Sequence, residues 1–167
     1  MGIKFVRLTM GAHAIVDEDR FPDISKFKWH LSKVRGGCGY AKRVEYVRGE
    51  GGCKRKTIYM HQQVVGQKGV DHINGDTLDN RGTNLRACTH RNNIRNKGRQ
   101  KNNTSGFKGV SWCKIMNRWV ARIKTEGGHY PTMGYFCKAE EAAEAYDFAA
   151  IMLFGEFART NFKEGPQ

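Results

Sequence analysis

Short apolar runs of period two, broken by glycines, fill the first sixty residues, which is the pattern of small antiparallel sheets. Lys4-Phe5-Val6-Arg7-Leu8 and Ala14-Ile15-Val16 flank Gly11 and read as a hairpin. An acidic turn over Asp17 to Asp19 follows, Pro22 starts a helical turn reaching Phe27, and Trp29-His30-Leu31 is extended until Gly36, Gly37 and Gly39 interrupt it. Tyr40 to Val47 and Lys56 to Met60 form a second hairpin across the Gly-rich Arg48 to Gly52 segment, with Phe27, Trp29, Tyr40 and Tyr59 as candidate core aromatics. His61 to Val65 reads as a short helix. From Phe107 the alternation resumes in three strands, Phe107 to Trp112, Arg118 to Lys124 and Tyr130 to Tyr135, followed by an Ala-rich helix over Ala139 to Phe154. That helix carries Ala142, Ala143, Tyr146, Ala149, Ala150 and Leu153 as its apolar stripe, with Glu140, Glu141 and Glu144 where the helix dipole favours acids. Alternation along the second strand predicts Arg118, Val120, Arg122 and Lys124 on one exposed face and Trp119, Ala121 and Ile123 inward, Trp112 and Trp119 serving as scaffold.

Between these two patterned regions lies VDHINGDTLDNRGTNLRACTHRNNIRN, Val70 to Asn96. Asp71 and His72 are adjacent, so on a strand they point to opposite faces until the backbone bends. Gly75-Asp76 supplies a turn, Leu85 to Cys88 a second strand, and Thr89 an N-cap for a helix carrying His90, Asn93 and Asn96 at i, i+3 spacing. The order is strand, loop, strand, helix. Asp76, Asp79 and Asn80 read as hairpin formers. Phosphodiester hydrolysis needs a base near neutral pKa to deprotonate water and a cation to absorb charge on the phosphate. A histidine beside a sparse oxygen donor set meets both needs, and such a set suits Mg²⁺ or Mn²⁺.

The DHxxGxxxDN run followed by NLR resembles the HNH (ββα-metal) endonucleases, especially the homing enzymes of phage and introns. The resemblance implies His72 as general base, Asp71 and Asn93 as ligands of one divalent ion, and Asn84 as the asparagine that fixes the loop. At the third position many relatives have His, and here His90 stands one turn earlier as a rival to Asn93. His61 is a candidate for packing behind the site or for a place near the phosphate.

The last sixty residues resemble the plant ethylene-response-factor type of DNA-binding domain, through GFKGVSW, RWVARI, MGYF, AEEAAEAYDFAA and FARTNF. This implies a three-stranded sheet laid in the DNA major groove, with Lys108, Arg122, Lys124, Tyr130 and Thr132 at the contact positions. Ser111 and Thr132 stand where plant relatives have arginines, so sequence preference does not carry over.

Charge then narrows the partner. With 29 basic and 16 acidic residues the chain is formally +13, pI about 9.8, which calls for a polyanion. No acid occurs between Asp79 and Glu126, while Arg91, Arg95, Lys97, Arg99, Lys101 and Arg118 all do, so double-stranded DNA is the expected partner of a monomer or weak dimer. Lys97 to Gly106 has no apolar residue and reads as a basic linker along DNA. No run approaches the roughly 20 apolar residues of a membrane span, and no leader opens the chain, so an intracellular, cytoplasmic protein of a bacterial or phage-infected cell without membrane partners is expected. The five cysteines include no CxxC pair, so neither a disulfide framework nor a structural zinc is expected. The expected fold is α+β: residues 1–96 a strand-rich leader plus a ββα-metal nuclease module, 97–106 a linker, and 107–162 a three-stranded sheet packed on one helix. A metal-dependent DNA endonuclease is the leading functional reading. The alternative is a DNA-binding regulator with a vestigial nuclease motif, and an RNA or membrane-surface binder would use the charge but neither motif.

Overall fold

A computed structural model of the chain describes residues 2–32, 39–49 and 52–162. It is a mixed α+β fold of several small antiparallel sheets and few helices, in two compact units, Met1 to His90 and Arg91 to Gln167. No helix among the described residues is long and apolar enough to cross a membrane.

In the first unit β1 (Ile3–Arg7) pairs antiparallel with β2 (His13–Asp17), as the alternation predicts. Inward-pointing Val6, Ala14 and Val16 are buried, while Ile3 and Phe5 on the other face are exposed. Helix α1 (Phe21–Ser25) has its Pro22 at the start, where a missing N–H costs nothing. Trp29 is 1% exposed and its indole N–H donates to the Ile24 carbonyl at 2.8 Å, which pays for burying the ring's one polar group. Phe27 departs from the expected core: it is 39% exposed, and the Arg43 guanidinium covers its ring at 3.9 Å from the centroid.

Strands β3 (His30–Leu31), β4 (Ala41–Gly49) and β5 (Gly52–Tyr59) form an antiparallel sheet in that order. β5 begins earlier than expected, because Arg48 and Cys53 pair within the ladder. The expected breaks at Gly36 and Gly37 and the turn at Glu50-Gly51 lie outside the described residues. Met60 belongs to helix α2 (Met60–Val65), which buries Met60, His61 and Val64 and stops at Gly66. There φ is +79° and the N–H returns to the Gln62 carbonyl at 2.8 Å, a left-handed cap suited to glycine. Strands β6 (Val70–His72) and β7 (Leu85–Ala87) then pair antiparallel. Met60, Val64, Val70 and Leu85 join Val6, Leu8, Val16 and Trp29 in one core, so the β6–β7 pair rests on the packed interior of this unit.

Helix α3 (His90–Arg95) follows. In the second unit β8 (Val110–Cys113), β9 (Arg118–Arg122) and β10 (Thr132–Phe136) form an antiparallel sheet with β9 central, and α4 spans Ala139–Phe154 as expected. Ala142, Ala143 and Ala150 are fully buried against Val110, Ala121 and Ile123. Small side chains let the helix approach the sheet closely. Gly109 serves the same end: at φ +77° a Cβ there would lie 2.0 Å from the Tyr146 ring. Leu153 is 50% exposed and outside the core, so the buried stripe ends near Ala150. Val120 is 1% exposed although it shares the face of Arg118 and Arg122 by alternation.

Two polar clasps finish this unit. The carboxylate of Asp147, 1% exposed, accepts hydrogen bonds from the Asn161 backbone and side-chain amides at 2.8 and 2.9 Å and from the Phe162 N–H at 3.0 Å. Asn161 in turn accepts from the Lys108 N–H, tying the chain after α4 to the start of the sheet. At the other clasp Ser105 Oγ donates to the Val110 carbonyl at 2.8 Å and Asn103 Nδ2 to the Phe107 carbonyl at 2.8 Å. The far end of the stretch expected to be a linker is therefore folded onto the sheet. Composition alone hides this, since its hydrogen bonds come from short polar side chains.

Candidate active site

β6 is buried along its whole length, which brings Asp71 and His72 to 6% and 4% exposure. Such burial demands partners. For Asp71 the cross-strand neighbour Arg86 supplies one, Nη2 to Oδ2 at 3.2 Å, with both side chains nearly enclosed. Sequence reasoning missed Arg86, and register was the absent information: once Val70 pairs with Ala87, Arg86 must face Asp71.

The loop from Ile73 to Arg81 is held by asparagine and aspartate side chains. Asn84 Oδ1 accepts the Asn74 N–H at 3.0 Å, and its Nδ2 donates to the Asp79 carbonyl at 2.8 Å, so one amide joins both ends. Asn74 Oδ1 accepts from the Asp76 N–H, and Gly75 turns at φ +78° with its N–H on the His72 carbonyl. Asp79 is gripped by Arg81 at 2.8 and 2.7 Å, which holds its carboxyl below the usual range. Asp76 and Asp79 thus act as loop formers, and Gly82 N–H on Asp17 Oδ2 at 2.7 Å anchors the loop to β2.

Around His72 sits a group of rings. His61 from α2 lies 5.0 Å away edge-on, Tyr59 stacks on His61 at 5.5 Å, and Tyr40 lies 5.5 Å from His61 and 6.0 Å from His72. Burial lowers the His72 pKa, opposed by the Asn80 side chain and by Asp71, Asp76 and Asp79. His61 is pushed down to about 4 by burial and by His72, and its buried Nδ1 has no hydrogen-bond partner among the described residues. Both imidazoles are therefore neutral near pH 7.

This has a stability consequence. The unfolded chain protonates His61 near 6.5, the folded chain only near 4, so its contribution is complete above pH 6.5 and is lost as pH falls from 6.5 towards 4. The full loss is about 3 kcal/mol by linkage. Urea unfolding of the first unit at pH 7.5 and pH 5 is expected to show a midpoint drop that His61→Phe, which keeps the stack on Tyr59, reduces, the remainder belonging to the likewise lowered His72. An undiminished drop in the variant would assign the effect elsewhere.

His90 is exposed, and Asn93 is half-buried on α3, which from Arg91 onward belongs to the second unit. Among the described residues no three His, Cys, Asp or Glu side chains come together as a metal-binding group. The four described cysteines, Cys53, Cys88, Cys113 and Cys137, are free thiols.

Of the cations picked from sequence, Arg95 and Lys108 are half-buried in the second unit. Arg95 pairs with Glu126 at 2.7 Å and lies over the Phe154 ring at 4.5 Å. Lys108 Nζ donates to the Arg95 carbonyl, and burial, with help from Arg159, brings its pKa down to about 8. Arg91, Lys97, Arg99, Lys101, Arg118, Arg122, Lys124, Tyr130 and Thr132 are exposed. Arg122 Nε reaches Thr132 Oγ1 at 3.4 Å, and Lys124 lies over Tyr130 at 5.5 Å.

Set beside known proteins, residues 61–95, which span His61, the β6–β7 pair and α3, match the HNH endonuclease family. Over 157 residues the chain is 33% identical to an uncharacterized HNH endonuclease of Acanthamoeba polyphaga mimivirus, covering 90% of this chain and 75% of that relative. The chain belongs to the HNH endonuclease family. As a nuclease it also has a shorter match to Protein 3.8 of Escherichia phage T7, 40% identical over 58 residues, spanning 35% of the endonuclease and about half, 48%, of the phage protein. Its C-terminal region is similar to plant factors, among them an ethylene-responsive transcription factor of Medicago truncatula, 46% identical over 70 residues, which are 41% of the endonuclease and 26% of the factor.

Proposed function

We propose that this HNH endonuclease is of the homing type and cuts double-stranded DNA with one divalent ion, Mg²⁺ or Mn²⁺, at or near a site read by its C-terminal sheet. The observation that carries the reading is a buried, neutral His72 on the strand of Asp71, at the mouth of a loop that Asn84 ties at both ends. A base must be unprotonated to work, and burial keeps His72 so. Asn84 acts on the reaction through the loop, fixing the path of the chain as it leaves His72.

Asp71 and Asn93 offer a carboxylate and an amide oxygen, hard donors that fit Mg²⁺ or Mn²⁺ with water and phosphate completing the shell. Arg86 on one Asp71 oxygen fixes the direction in which that carboxylate points. Bound there, the ion would neutralise charge on the phosphate and the leaving oxygen. His72 takes the proton of the attacking water. Exposed Arg118, Arg122 and Lys124 on the sheet, with Arg91, Lys97, Arg99 and Lys101 before it, support a DNA-reading role for the second unit.

The test is incubation of purified protein with plasmid DNA and Mg²⁺, Mn²⁺ or EDTA. Nicked or linear product with either ion and none with EDTA is expected. Equal cutting in EDTA would remove the ion, and with it the roles of Asp71 and Asn93.

A further inference from the structure

The β4–β5 hairpin is longer and barer than its share of the core requires. Its ladder runs eight rungs, from Lys42 opposite Tyr59 to Gly49 opposite Gly52, whereas β3 reaches only Ala41 and Lys42. Beyond that root the two strands form a ribbon about 25 Å long at ~3.3 Å per residue. Along β4 the chain is exposed from Tyr46 to Gly49, and along β5 from Gly52 to Thr57, with Tyr46 at 69%.

Register sorts the side chains, because cross-strand partners share a face. On one face stand Lys42, Val44, Tyr46 with Arg55, and Arg48, and among the described residues no acid; on the other stand Val47 with Lys54 and Glu45 with Lys56. The second face is rooted in the core through Ile58 and in the Arg43 contacts with Gln63 and Phe27. The first is rooted at Tyr59, stacked on His61, which touches His72. The acid-free face therefore runs outward from the histidines of the cleavage site.

We infer that this ribbon is a second DNA-reading element, which lies with the Tyr46, Arg48 and Arg55 face in the major groove of the duplex flanking the scissile phosphate. It rests on the reading of the protein as a nuclease of double-stranded DNA. Two strands side by side fit a groove about 12 Å wide, and a polyanion is the occupant that a face of cations and one exposed aromatic ring can hold. Charged side chains on an edge strand also guard against strand-to-strand aggregation. That role is indifferent to face, since it needs only charge on β5, so a face-specific effect separates the two.

The experiment compares two charge-matched double variants of the full chain, Arg48→Ala with Arg55→Ala on one face and Lys54→Ala with Lys56→Ala on the other. Each is checked for an unchanged melting curve, then titrated in EDTA with linear plasmid DNA at several salt concentrations, and assayed for cutting with Mn²⁺. The first pair is expected to bind on the order of 10- to 100-fold more weakly and to lower the salt slope by about 2, and the second to change binding less than about 3-fold. Equal losses from both pairs, or no loss from the first, overturn the ribbon as a face-specific reader while wild-type cutting still stands. Wild-type protein that neither binds nor cuts duplex DNA overturns the nuclease reading, and the ribbon proposal with it.

Discussion

His72→Ala is expected to lower the rate of DNA cutting by about 10²–10⁴-fold while leaving DNA affinity in EDTA nearly unchanged. The loss is that of a base, since the imidazole is 4% exposed and provides no phosphate-binding charge while neutral. His61 is a poor substitute. Burial and His72 depress its pKa to about 4, which makes it a weak proton acceptor. In the parent protein the rate should fall as pH drops through the lowered pKa of His72, a window on the acid side of 6.5, and this limb should be absent from the residual activity of the variant. Single-turnover rates and EDTA binding isotherms check both points, and near-parental cutting by the variant would show the base to be another group.

The second large effect concerns the other unit. Asp147→Ala should destabilise the C-terminal unit by about 3–5 kcal/mol, because a nearly enclosed carboxylate leaves three donor groups behind it, the Asn161 backbone and side-chain amides and the Phe162 N–H. Once Asn161 is loosened, its bond to the Lys108 N–H goes too, and the Phe107–Phe162 ring contact at 5.7 Å loses its support. Thermal unfolding of the full chain should show the later-chain unit melting first in the variant, with DNA binding lost over the same temperature range. A melting curve matching the parent would mean that the clasp contributes little to stability.

Asp147 also shows where reading a sequence stops. It stands inside AEEAAEAYDFAA, among the alanines of a predicted stripe, and nothing in the periodicity distinguishes a buried acid from a solvated one; its partners lie fourteen and fifteen positions on. Arg86 escaped for the same reason, because its meaning depends on a register set by burial of β6. Local signals carried the elements themselves. Alternation placed β1, β2, β9 and β10, and the span of α4 could be read from its alanines and leading glutamates. Asp71, His72 and Asn84 could be picked out because the DH and NLR runs are compact in sequence, and the structure puts them on a strand pair and its loop. Phe27 and Leu153 were misread as core, since an apolar side chain can be covered by an arginine or left in water without breaking any pattern.

Arg95 closes the stretch shared with the family, yet every contact described for its guanidinium beyond α3, to Glu126 and to Phe154, is with the C-terminal unit, and its carbonyl holds Lys108 there as well. The C-terminal unit is thus not a detachable cassette. A recombination event, or an engineer, that exchanged this unit at the apparent linker after Asn96 would leave Glu126 without its arginine and Lys108 without its acceptor. The natural unit of exchange begins before Arg91, inside the nuclease signature, so swapping the C-terminal unit means rebuilding the last helix of the motif at the same time.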